Sequence, residues 1–106
     1  MFVHVGGDGA VRVEEGDDCT RLHVATELDS AATGQALRDA GFGGPADEPD
    51  SAWLSVESLR ENASRGSVGA DWPGRWDAMI AYAARKGWLT ADGTKVAAHI
   101  EHPAPA

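Results

Sequence analysis

Residues Asp71–His102 read DWPGRWDAMIAYAARKGWLTADGTKVAAHIEH, and this stretch decides the fold class. Asp71 stands where a helix cap belongs, and Pro73 falls in the first turn, where a missing N–H does no harm. Trp76, Met79, Ile80 and Ala83 recur at helical spacing and mark an apolar stripe. Arg85 and Lys86 suit the negative end of the helix dipole, and Gly87 closes the helix. Asp92-Gly93 is then a two-residue hairpin signal between Trp88–Thr90 and Lys95–Glu101. A capped helix followed by a hairpin calls for a mixed fold.

Working upstream, Ser55 caps a helix from Val56 to about Ala63, with Val56 and Leu59 inward, and Ala52–Leu54 is a short strand or extended lead-in. Ser64–Ala70 reads as a loop of small residues, and Gly43–Asp50 (GGPADEPD) as a second loop, too short to separate domains. Asp29 or Ser30 caps a helix to about Ala40, with Gly41 past its end and Thr33, Ala36, Leu37 and Ala40 on one face. Gly34 weakens that helix by ~1 kcal/mol relative to Ala, so packing on a sheet must hold it.

The first quarter alternates apolar and polar residues in Phe2–Val5, Val11–Glu14 and Cys19–Ala25, the period-two mark of half-buried strands. A three-residue loop over Gly7–Gly9, with Gly9 at positive φ, opposes Val5 with Val11 and Val3 with Val13. Continuing the meander opposes Val13 with Leu22 and Val11 with Val24, leaving Glu14–Asp18 as a solvated acidic turn. That register aligns His4, Arg12 and His23 in one outward row, suited to a carboxylate or phosphate rather than a metal cation. The expectation is a single α+β domain over residues 1–102: an N-terminal antiparallel three-stranded meander, three helices and a C-terminal hairpin or strand able to join the sheet. Residues 103–106 (PAPA) form a frayed tail.

The net charge of −8 is uneven: residues 1–50 hold eleven acids and three bases, residues 51–106 six of each. An acidic chain repels phosphate backbones and anionic membranes, so neither nucleic acid nor membrane is an expected partner. No apolar run approaches the ~20 residues that span a bilayer. With a lone Cys19, no internal disulfide and no leader-like segment, a cytoplasmic location is expected.

No known cofactor or catalytic motif is present. Gly6–Gly9 leads into a strand rather than a helix and lacks the Walker lysine, and Asp8 would repel phosphate. His99 and His102 point to opposite faces of a strand, so no metal site and no cofactor is expected. The four tryptophans lie within 36 residues. Trp76 belongs to the core, while Trp53, Trp72 and Trp88, with Tyr82, are candidates for the wall of an apolar pocket. The order of residues 52–101 resembles a winged helix-turn-helix. That resemblance would make Trp72–Lys86 the recognition helix and Thr90–Val96 the wing, but Asp77 and the acidic first half oppose DNA. The leading expectation is a non-catalytic binding or regulatory module that contacts another protein or a second copy of itself. The alternative is a small-molecule binder or small enzyme with a Trp-lined pocket and a histidine acid–base group, its candidate residues being His4, Arg12, His23, Trp53, Trp72 and Trp88. Catalytic residues are unknown at this level.

Overall fold

A computed structural model describes residues 1–48, 50–65 and 68–102. It shows an α+β protein with a six-stranded mixed sheet. In chain order the elements are β1 (Phe2–Val5), β2 (Val11–Glu14), β3 (His23–Thr26), α1 (Ser30–Asp39), β4 (Gly43–Pro45), β5 (Ser51–Ser55), α2 (Val56–Ala63), α3 (Trp72–Arg85) and β6 (Lys95–Glu101). The strand order across the sheet is β2-β1-β3-β6-β5-β4.

The first hairpin follows the alternation of its valines. Val5 lies opposite Val11 and Val3 opposite Val13, and Gly9 takes φ +86° in the three-residue loop. The third strand departs from the expected meander. β3 pairs with β1, in parallel, instead of with β2, so Val24 meets Val3 and not Val11. The connection of residues 15–22 therefore crosses the end of β1 rather than making a tight turn. It spans two strand spacings, roughly 10 Å, which eight residues cover easily. The crossing is fastened at four points. The Met1 amine donates to the Asp18 carbonyl at 2.8 Å, and the Trp72 indole N–H donates to the Gly16 carbonyl at 2.7 Å. Arg75 donates to the Asp17 carbonyl at 3.0 Å. Gly16 itself packs so closely on α2 that a Cβ there would lie 2.6 Å from the Ala63 carbonyl oxygen. The acidic segment expected to be a solvated turn is thus a strap held by two helices.

β3 is also shorter than the Cys19–Ala25 strand expected from alternation. Its register with β6 sets His23 against His99, which would bring Leu22 against Ala98 and Arg21 against Ala97 if pairing continued. That edge of β6 is already taken. Ala97 donates to the Trp88 carbonyl at 2.7 Å, Thr90 donates to the Lys95 carbonyl at 2.9 Å, and Leu89 bridges Val96. The C-terminal hairpin forms in the expected register, with a four-residue turn, and it excludes Thr20–Leu22 from the sheet. Its long arm, β6, also joins the sheet centrally between β3 and β5, so it does not project as a wing.

Within the turn, the Asp92 carboxylate accepts from the hydroxyls of Thr90 and Thr94 and from the Thr94 N–H. These bonds pull its pKa down to about 2. The GGPADEPD segment, expected to be a loop, supplies strand β4, which pairs with β5 at the sheet edge. Gly43 is required there, because a Cβ would run into the Trp53 carbonyl oxygen.

The helices begin and end close to their sequence signals. The Asp29 side chain caps α1 by accepting from Ala32 N–H at 2.7 Å, and the Ser55 hydroxyl caps α2 through Ser58 N–H. α3 is the exception, because Asp71 makes no capping bond and instead pairs with Arg75 at 3.5 Å. Gly34 has a packing role that composition does not reveal. It is buried against Pro45, where a Cβ would come within 2.9 Å of the proline Cα. One core results, formed by Val3, Val5, Val24 and Ile100 from the sheet with Leu37, Leu59, Trp72 and Trp76 from the helices. The expected tail, residues 103–106, and parts of the two expected loops (Pro49, Gly66 and Ser67) lie outside the described residues.

Two measurements check this architecture. In an open helix Gly34→Ala would raise stability by about 1 kcal/mol. Against Pro45 it is expected to lower stability by roughly 1–3 kcal/mol, read as a reduced urea midpoint. The depressed Asp92 pKa stabilises the fold above the ordinary carboxylate range, and this contribution is lost as pH falls towards about 2. Asp92→Asn should therefore weaken the protein at neutral pH and lose its deficit in acid.

Candidate functional site

A cleft of about 750 Å³ opens where Cys19–Leu22 and Trp88 diverge beside β6. Its geometry follows from the competition for that strand edge. Displaced from β6, Cys19–Leu22 forms one wall. A second wall is β6 itself, with Val96 and Ala98 from its core face and Ala97 and His99 from the opposite face. The third is α3, which presents Arg75, Ala78, Met79 and Tyr82, spaced i, i+3, i+4 and i+7 on one face. Leu22, Met79, Ile80, Val96 and Ala98 give the interior its apolar character. Glu48 and Ser51 complete the lining beside His99.

The aromatic rim is formed by Tyr82 and Trp88, whose rings meet edge to face at 5.8 Å. They are the large hydrophobic side chains left exposed among the described residues, at 46% and 45%. Arg85 and Lys86 sit over the Tyr82 ring, 5.8 and 5.6 Å from its centroid. At the other end of the α3 face, Arg75 is oriented by Asp71 and by the Asp17 carbonyl. Burial pushes the thiol of the nearby Cys19 above its ordinary pKa; Arg75 and the Met1 amine pull it down, and Asp18 and Asp17 push it up. The thiol is therefore held protonated rather than primed as a nucleophile.

The six candidate residues read from sequence go to three different places. Trp88 lines the cleft. Trp72 is in the core, 2% exposed and stacked on Trp76 at 5.5 Å, so its indole serves the strap rather than a ligand. Trp53, His4, Arg12 and His23 lie on the sheet face opposite the core and do not line the cleft. The expected His4–Arg12–His23 row is broken by the exchange of strand neighbours. His4 does oppose Arg12, but its other neighbour is Ala25, and His23 sits between Phe2 and His99. Arg12 pairs with Glu14 at 2.7 Å, while His23 stacks on Phe2 and approaches Glu101 at 3.2 Å. These are local partners on neighbouring residues and strands, not a shared row. Among the described residues no group of three or more His, Cys, Asp or Glu side chains is placed to hold a metal ion.

Arg21, Arg75, Cys19 and Met79 were not singled out as ligand-facing residues by sequence. Met79 shares the stripe that identifies a buried helix face, and Cys19–Leu22 alternates as a strand would. The detectable signal lay in chain economy: two segments compete for one edge of β6. In comparisons with known proteins the chain matches no protein-family model, and no curated protein or solved structure matches it significantly. No helix among the described residues is long and apolar enough to cross a membrane.

The thiol offers a direct check of the cleft wall. Alkylation of Cys19 by iodoacetamide is expected to be slower than that of an unstructured peptide thiol at pH 8. Its rate-against-pH midpoint should be displaced upward, because burial disfavours the thiolate.

Proposed function

We propose that this protein is a binding module whose cleft between α3, β6 and the residue 19–22 strap holds a small apolar molecule. The observation that carries this reading is the persistence of a 750 Å³ apolar-walled space in a chain of only 106 residues. Ligand sites are typically concave, about 300–1,000 Å³, mostly apolar, and provided with a few polar groups. Arg21, Arg75, Ser51 and His99 are such groups here. Tyr82 and Trp88 at the rim add to the case, because a ligand entering the cleft would remove both rings from water.

The acidic first half, which at the level of sequence favours a protein partner, supports that reading less well once its carboxylates are located. Asp8, Asp18 and Asp29 accept backbone N–H bonds from Ala10, Thr20 and Ala32, within turns and a helix cap. Their charge has a local structural use that requires no basic partner. A binding role is also preferred over catalysis by the state of Cys19, whose thiol is pushed away from its reactive form.

A neutral naphthalene dye titrated into the protein is expected to bind with enhanced emission and to change tryptophan fluorescence through Trp88. Ala78→Trp places bulk on the exposed α3 wall without touching the core. It should weaken dye binding by tenfold or more and leave the melting temperature nearly unchanged. Equal binding to wild type and Ala78→Trp would remove the cleft as the site.

A further inference from the structure

Resting on that reading of the cleft, we infer that its ligand is an amphipathic monocarboxylate with an apolar body about 10 Å long. The inference comes from how charge is distributed along the lining. The chain as a whole carries −8, yet the cleft is lined by two guanidinium groups, Arg21 and Arg75, against the single carboxylate of Glu48. The local bias is opposite to the global one. Arg21 is exposed and makes no ion pair within 4.0 Å among the described residues. Arg75 uses its Nε towards Asp71 and its Nη1 towards the Asp17 carbonyl, which fixes the plane of the group and leaves Nη2 uncommitted. Two guanidinium groups lining one cleft, one oriented and one without an ion pair, suit a planar carboxylate, which accepts two N–H bonds in a defined plane.

The polar and apolar features lie at opposite ends of the α3 wall. Arg75 and Tyr82 are separated by seven residues of helix, hence by roughly 10 Å at 1.5 Å per residue. Ala78 and Met79 lie between them on the same face, with Trp88 beside Tyr82 at the far end. A carboxylate at Arg21 and Arg75 would direct an alkyl or aryl body along Met79 towards the two aromatic rings. Cationic groups gain nothing at that aromatic end, because Arg85 and Lys86 already lie over the Tyr82 ring. A third positive charge would meet theirs.

The test compares decanoate, decanol and decylamine, each below its aggregation concentration, by displacement of the naphthalene dye. Wild type is expected to bind decanoate at least tenfold more tightly than decanol, with decylamine weakest. Arg21→Gln and Arg75→Gln should bring decanoate down to the affinity of decanol while decanol itself is unchanged. Arg21→Gln carries the comparison if loss of the Asp17 bond destabilises Arg75→Gln, since the exposed Arg21 side chain makes no ion pair among the described residues. Equal affinity for decanoate and decanol in wild type would overturn the carboxylate assignment and leave the cleft reading standing. A decanoate preference that survives the double substitution would overturn it too, because the selectivity would then arise elsewhere. If none of the three displaces the dye, this inference fails, while the cleft reading stands or falls separately on whether dye binding is lost in Ala78→Trp.

Discussion

Two segments compete for one edge of β6, and most of the architecture follows from which of them wins. Trp88–Thr90 is adjacent in sequence and closes a short hairpin, so its loop-closure cost is small. Thr20–Leu22 must arrive from the far side of the sheet. The hairpin therefore holds Val96 and Ala97, and β3 joins β6 only from His23 onward. Ala98 lies at the seam between an antiparallel arm and a parallel one. A chain segment rich enough in apolar alternation to be a strand is left beside the sheet rather than within it. The cleft is the space between that displaced segment and the hairpin.

The displaced segment is kept ordered by contacts that reach across the sequence. Gly16, Asp17 and Asp18 offer their carbonyls to Trp72, Arg75 and the Met1 amine. The Gly16 and Asp18 carbonyls are half-buried acceptors that would cost about 1–3 kcal/mol if left unsatisfied, whereas the Asp17 carbonyl is exposed and its bond to Arg75 is worth less. Trp72 is 56 residues away in sequence from its partner Gly16, so strap and α3 depend on each other. α3 in turn rests on the core through Trp72 and Trp76, whose bulk holds its backbone away from the strands. α1 shows the contrast, since Gly34 lets that helix come down onto Pro45. A helix with glycine at its contact leaves no room beneath it, whereas one with tryptophans at one end leaves room at the other.

Local signals were legible in the sequence wherever a residue acts on its own neighbours. Asp29, Ser55 and Gly41 mark helix ends, Gly9 and Asp92-Gly93 mark turns, and valine alternation sets the β1–β2 register. The core-facing pattern of β3 was legible too, but its strand partner was not. Val24 faces the core equally well beside Val3 or beside Val11, because alternation specifies a face and not a neighbour. The difference appears on the other face, where exchanging β1 for β2 separates His23 from Arg12. Gly43–Pro45 was hidden for another reason. Glycine and proline oppose strand formation on average, and here each suits a particular close approach at a sheet edge, where proline's missing donor is tolerated.

The same logic explains why the cleft could not be read from motifs. Its residues come from the strap, α3 and the last strand, and none carries a catalytic spacing. Met79 and Ile80 have the periodicity of core positions, yet both remain partly exposed because the surface they face is missing a strand. Filling the space with Thr20–Leu22 would bury them, but it would require breaking either the hairpin pairing at Val96 and Ala97 or the bonds from α3 to the strap. Both sets of bonds serve the fold. The cleft is accordingly preformed: a molecule that occupies it meets walls whose positions are set by the hydrogen bonds that hold the sheet and strap together, so little of its binding free energy is diverted to ordering the site.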